Sequence, residues 1–149
     1  MRKLFVLVLF VSFVSMVWAQ DDVRYITTKD FKERIFDFSQ NQKWHYLGDK
    51  PCVIDFYADW CGPCRRLAPI LAELSEDYCD EVIFYKVNVD RERELAGYFR
   101  TSSIPMVFFV PMHDAPQYVL GLLAKEELNA IIQEVLLQQD ITTEQESED

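Results

Sequence analysis

Two nearly continuous apolar runs, CVIDFYA at residues 52–58 and VIFYKVNV at residues 82–89, flank a segment patterned quite differently. From Gly62 to about Tyr78, the residues Leu67, Ile70, Leu71, Leu74 and Tyr78 recur at helical spacing. A short run with no polar face is a strand covered on both sides, which happens when helices pack on both faces of a parallel sheet. Two such strands joined by a helix of this length are parallel neighbours in one sheet. This unit constrains the fold more than any other feature, and the rest of the chain extends it. VRYI at 23–26 is a short strand, and TTKDFKERIFDFS is a Thr-capped helix with Phe31, Ile35 and Phe38 on one face. NQKWHYLGDKP is a polar connection, and DRERELAGYF is a short helix capped by Asp90. MVFFV and QYVLG, joined by the turn-rich PMHDAP, form an antiparallel hairpin. Leu128, Ile131, Ile132, Val135 and Leu136 mark a last amphipathic helix. The order βαβαβαββα predicts an α/β fold with a central mixed sheet and helices on both faces.

The beginning of the chain carries a different signal. MRKLFVLVLFVSFVSMVWA, residues 1–19, has a basic start, an apolar stretch, and small residues Val17 and Ala19 before a cleavable position. This is the layout of a signal peptide cut after Ala19, and it predicts a periplasmic or secreted protein. The apolar stretch from Leu4 to Trp18 contains Ser12 and Ser15 and falls short of the roughly 20 residues of a spanning helix. A retained anchor is therefore the weaker reading, and no membrane insertion is expected after cleavage. Residues 20–139 suit one domain, and residues 140–149 end the chain as an acidic tail without aromatics, read as solvated and disordered. The whole chain carries −10, and loss of Arg2 and Lys3 with the leader would bring it to −12. Such a charge repels nucleic acid and anionic lipid, so neither is an expected partner.

At the junction between the first apolar run and the helix stands DFYADWCGPCRRLAP, with Cys61 and Cys64 two residues apart. A zinc site needs four ligands at matched spacing. Cys52 and Cys79 stand alone and His45 and His113 lie in polar loops, so no metal is expected. A strand-to-helix junction, by contrast, gives a cysteine chemistry. Cys61 falls at the helix N-terminus, where free N–H groups and the helix dipole stabilise a thiolate. Cys64, one turn in, is expected to be the more buried and within reach to close a disulfide. The pair reads as a redox couple that needs no cofactor. Cys52 and Cys79 are expected to stay free. Residues three apart in a strand face opposite ways, so Cys52 points away from the helix if Asp55 faces it, and Cys79 lies on that helix's flank.

WCGPC at residues 60–64, with Asp55, Pro69, Lys86, Ile104-Pro105 and Gly121 at matching positions, resembles the thioredoxin family over about Val23 to Leu137. The resemblance implies a thioredoxin-like three-layer sandwich and thiol–disulfide exchange with protein disulfides. It also implies a lowered thiol pKa at the first cysteine, a cis Ile104–Pro105 bond facing the couple, and a substrate-docking rim of Trp60, Gly62, Pro63, Ile104 and Pro105. Tyr57 stands where the family often has Trp, TSSIP replaces Arg-Gly-Ile-Pro, and Ala124 takes the place of the last helix's usual Ser cap.

Asp55 lies inside an apolar run, where burial raises a carboxyl pKa and lets it take a proton from Cys64 and return it. For Lys86 the family reading is a counter-charge near Asp55; its plain reading is a stem packed on the core with its head in water. Pro69 interrupts the helical pattern. The expected activity is a protein-disulfide reductase, acting as a monomer. Outside the cytosol no soluble reductant pool serves it, so a membrane-embedded electron donor is the expected recharging partner. An oxidase or isomerase on the same fold, and a non-enzymatic binding or holdase module, are the alternatives.

Overall fold

A computed structural model describes residues 23–138, so the expected leader, both limits of the 20–139 domain and the acidic tail fall outside the described residues. Five strands make one sheet: β1 (Val23–Tyr25), β2 (Cys52–Tyr57), β3 (Ile83–Asn88), β4 (Met106–Val110) and β5 (Gln117–Leu120). Their order is β1-β3-β2-β4-β5, with β1, β3 and β2 parallel and β4 and β5 antiparallel. The helices are α1 (Thr28–Arg34), α2 (Gly62–Asp77), α3 (Arg93–Tyr98) and α4 (Lys125–Ile131), which runs on into a π-helical turn at Ile132–Leu136.

The two-residue alternation of the strands sorts their side chains into two cores. Val53, Phe84, Val107 and Phe109 meet Leu67, Leu71 and Leu74 of α2 and Leu128 of α4. Cys52, Ile54, Phe56, Val87 and Phe108 meet Phe31, Ile35 and Phe36 at α1 and Leu95 of α3. The sheet therefore lies between an α2/α4 layer and an α1/α3 layer. Full burial of each such Leu or Phe is worth about 1.5–3 kcal/mol relative to exposure. β2 pairs on both edges and is covered on both faces, which is why its sequence is almost uniformly apolar.

Three expectations need correction. Phe38 shares the helical spacing of Phe31 and Ile35, yet α1 ends at Arg34 and Phe38 packs back on Phe31 from the following turn, ring centroids 6.3 Å apart. Asp90 does not cap α3; the N-cap is Glu92, which makes no side-chain cap bond because its carboxylate takes the N–H and hydroxyl of Thr28 at 2.7 and 2.6 Å. The connection before β2 is not wholly polar, since Trp44 and Tyr46 lie half-buried on the α1/α3 core, with Trp44 4.8 Å from Phe36.

Candidate functional site

β2 delivers the chain to the C-terminal edge of the sheet, where Ala58–Trp60 turn it into α2. Cys61 is the N-cap of α2, with extended backbone, and its Sγ accepts the N–H of Cys64 at 3.2 Å. Pro63 occupies the first turn, where the N–H it lacks has no helical partner in any case. Cys61 and Cys64 are joined in a disulfide, with Cα atoms 5.3 Å apart. The Cys61 sulfur lies 3.9 Å from the carbonyl oxygen of Ile104, and the Ile104–Pro105 peptide is cis. The carbonyl of Pro105 accepts the N–H of Gly121 at 2.8 Å, and Gly121 holds φ 89°, a conformation that favours glycine.

The expected difference in burial between the two cysteines is not found: each is 3% exposed. Both pack with Ala58 in a small cluster covered by Tyr57, Val89 and Ile104, of which Val89 and Ile104 come from segments distant in sequence. What distinguishes them is the backbone. Only Cys61 holds the N-cap position and receives a helix N–H.

The surface beside the pair belongs to Trp60, 69% exposed, and to Pro63, also exposed. The Trp60 ring is fixed by Nε1, which donates to Asp90 at 2.9 Å, and Asp90 in turn donates its backbone N–H to the Asn88 side chain at 3.0 Å. Sequence reading missed Asp90 in this role, and also Val89; no local signal pointed to either, since an exposed indole N–H is satisfied equally by water and the partner lies 30 residues on. Arg65 leans back over the preceding turn and donates to the carbonyl of Asp59 at 3.1 Å.

Asp55 is 4% exposed on the face of β2 that α2 covers, and one of its oxygens, Oδ1, has no hydrogen-bond partner. Burial pushes its pKa up to about 7, and the nearby charge of Lys86 works the other way but less strongly. Lys86 is its register partner on β3, yet the two form no salt bridge; the ammonium sits 4.0 Å from the ring centroid of Tyr25. A cavity of about 210 Å³ lined by Asp55, Lys86, Pro69 and Val23 reaches the carboxyl. One water occupies about 30 Å³ of liquid, so the cavity has room for proton carriers. Pro69 lies within α2, where it removes the N–H that would bond the carbonyl of Arg65. Among the described residues no three His, Cys, Asp or Glu side chains group as metal ligands.

Comparison with known proteins gives the same picture from another direction. The thioredoxin family model matches residues 22–134. The thioredoxin of Borreliella burgdorferi is 37% identical over 109 residues, covering 73% of this chain and 93% of that protein. The thioredoxin of Alicyclobacillus acidocaldarius is 40% identical over 89 residues, covering 60% and 85%. Among solved structures, that of chloroplastic thioredoxin z matches the fold with a TM-score of 0.65 at 23% identity, over 76% of this chain and 93% of that one.

Proposed function

The chain belongs to the thioredoxin family of thiol–disulfide oxidoreductases, and on that premise we propose that it is an exported reductase of protein disulfides. The observation that carries the reading is the position of Cys61 at the α2 N-cap, where its sulfur accepts the Cys64 N–H. In the dithiol form that N–H and the helix dipole favour the thiolate. The Cys61 thiolate attacks one sulfur of the client disulfide, forming a mixed disulfide and expelling the other client sulfur as a thiolate. Cys64, deprotonated by Asp55, then attacks the Cys61 sulfur. The Cys61–Cys64 disulfide forms and the second client sulfur leaves as a thiolate. Two electrons have passed from the dithiol to the client, whose thiolates take up protons. Recharging requires a dithiol donor, and for an exported protein we assign that role to a membrane-embedded electron carrier.

The direction of flow follows from what holds the thiolate. Gly62 and Pro63 bring no charge and no side-chain donor between the cysteines, and Arg65 directs its guanidinium N–H to the carbonyl of Asp59 and not to the Cys61 sulfur. The helix end is then the main stabiliser of the thiolate, and the disulfide is the comparatively stable form. The export part rests on the pattern of residues 1–19.

The reduced protein should cleave a model protein disulfide and show a potential near that of known thioredoxins, about −270 mV, well below the roughly −120 mV of the fold's strong oxidants. Cys64→Ser should stall as a mixed disulfide through Cys61, and Cys61→Ser should be inert. A potential as oxidising as that of the oxidants, with rapid oxidation of reduced clients, would reverse the direction. Recovery of the full-length protein in the cytosolic fraction of its cells would remove the export part alone.

A further inference from the structure

Tyr25, Lys86 and Asp55 stand in one row across β1, β3 and β2, because Lys86 is the register partner of both the others. The row lies on the face that α2 covers, two residues along from the buried row of Val23, Phe84 and Val53. Neighbouring strands are about 4.8 Å apart, so the long stem of the central lysine reaches either neighbour. On one side it meets a carboxyl, on the other an aromatic ring. We propose that Tyr25 is a positioning residue: its ring face holds the Lys86 ammonium off the Asp55 carboxyl, which leaves that carboxyl free to accept the proton of Cys64.

The first observation is which neighbour the ammonium has taken. An unpaired buried charge is costly, so a lysine beside a buried carboxyl ordinarily bonds it. Here the two form no salt bridge, and Oδ1 of Asp55 is left without a partner. The Lys86 Nζ lies instead 4.0 Å from the Tyr25 ring centroid, well inside the roughly 6 Å over which an aromatic face attracts a cation. The second observation is how the ring is set. Tyr25 is 69% exposed and adds little to the core, but its ring meets that of Tyr57 at 6.3 Å with an interplanar angle of 62°. Tyr57 in turn packs on the cluster of Ala58, Cys61 and Cys64. The ring that holds the cation is thus itself steadied from the reactive pair.

Little else near the carboxyl carries charge. Among the described residues that line its cavity, Lys86 is the one ionisable group besides Asp55. α2 contributes Ala68, Pro69, Leu71 and Ala72, and β4 sets Val107 beside Asp55. Tyr57 follows two residues along β2 on the same face, and Cys61 and Cys64 are held as a disulfide, which does not titrate. The position of one ammonium therefore decides how readily Asp55 keeps a proton. Moved onto the carboxyl, it favours the carboxylate and makes a weaker base; held on the ring, it leaves burial in control.

The proposal rests on the reductase reading above, and the test keeps the two apart. The Asp55 carboxyl is titrated by carbon NMR in the oxidised protein, and the pH profile of mixed-disulfide resolution is followed in single turnover with the reduced protein. Both are done for the wild type, Tyr25→Leu, Tyr25→Phe, Lys86→Met and the double variant Tyr25→Leu, Lys86→Met. Tyr25→Leu should lower the carboxyl midpoint by about 0.4–0.7 of a pH unit, as the loss of one exposed cation–ring contact allows, and the kinetic midpoint should follow it. Tyr25→Phe keeps the ring face and should titrate as the wild type does. In the Lys86→Met background the leucine should shift nothing, an outcome that a merely structural tyrosine does not produce. A midpoint unmoved in Tyr25→Leu, or moved equally without the lysine, overturns the proposal while leaving the reductase reading intact. A kinetic profile that ignores a shifted carboxyl overturns it as well. Failure of the wild-type protein to reduce a model protein disulfide overturns both.

Discussion

Asp55 stands 4% exposed in a strand whose neighbours are apolar, with Lys86 too far away for a salt bridge and one carboxyl oxygen unbonded. The cost of charging it there raises its pKa to about 7. A carboxyl poised near neutrality, next to a cavity with room for water, suits a group that takes a proton and returns it. The same shift fixes the sign of a stability effect. Between the unfolded value near 3.8 and the folded value near 7, the native state binds the extra proton, so stability falls as pH rises through that window. Above it the burden is complete, and below it absent. Asp55→Asn should therefore stabilise the protein by roughly 2–4 kcal/mol at pH 8 and change little at pH 4, as read by urea unfolding at both pH values. In the same variant, resolution of the mixed disulfide should slow at least about tenfold, while the first attack by Cys61 changes less. An equal gain at both pH values would refute the raised pKa, and unaltered resolution would refute the proton role.

The helix termini show how local chemistry sets element stability. At α1 the capping box is complete: the Asp30 N–H bonds Thr27 Oγ1 at 3.2 Å, and the Asp30 carboxylate takes the Thr27 N–H at 2.9 Å. At α4 only the returning half exists, with Glu127 accepting the N–H of Ala124 at 2.8 Å. Ala124 already has the extended backbone of an N-cap and is exposed, so Ala124→Ser supplies the missing acceptor without disturbing packing. The gain should be about 1 kcal/mol, seen as a higher urea midpoint at unchanged m-value. An unchanged midpoint would mean that Glu127 alone suffices. Element order, the parallel β2–α2–β3 unit and the hairpin were all legible in the sequence, because apolar period is a local property that burial enforces. The Cys61 and Cys64 pair at the α2 start was legible for the same reason. What escaped depends on contacts between distant segments. Phe38 keeps its helical spacing although the helix has stopped, because packing on Phe31 rewards the position in either conformation. Asp90 looks like a cap two residues early and serves Trp60, 30 residues away in the chain. The equal cover over the two cysteines comes partly from Ile104, 43 residues after Cys61.

Across the whole molecule the sheet divides the two remaining cysteines between separate layers. Cys52 is fully covered in the α1/α3 core, on the side of β2 opposite Asp55, while Cys79 is exposed just past the end of α2 in the other layer. Both are free, and the fold places no path between them. Their reactivity should differ by the whole stability of the domain. Burial pushes the Cys52 thiol up to about 12, so at neutral pH almost no thiolate exists, and the thiolate is the species that alkylates. Fraying at the ends of the sheet does not release it, because β2 is hydrogen-bonded to β3 on one side and to β4 on the other. Only separation of the central strands does, which makes its opening global rather than local. The oxidised native protein should therefore label at Cys79 alone, and at Cys52 and Cys79 once denatured. In sub-denaturing urea the Cys52 labelling rate should rise with the slope of global unfolding while that of Cys79 stays nearly flat, as followed by mass spectrometry. A denatured protein with no free thiol would reveal a second disulfide and a fold that brings the two layers together. Native labelling of Cys52 as fast as Cys79 would show that the central strand opens without the rest.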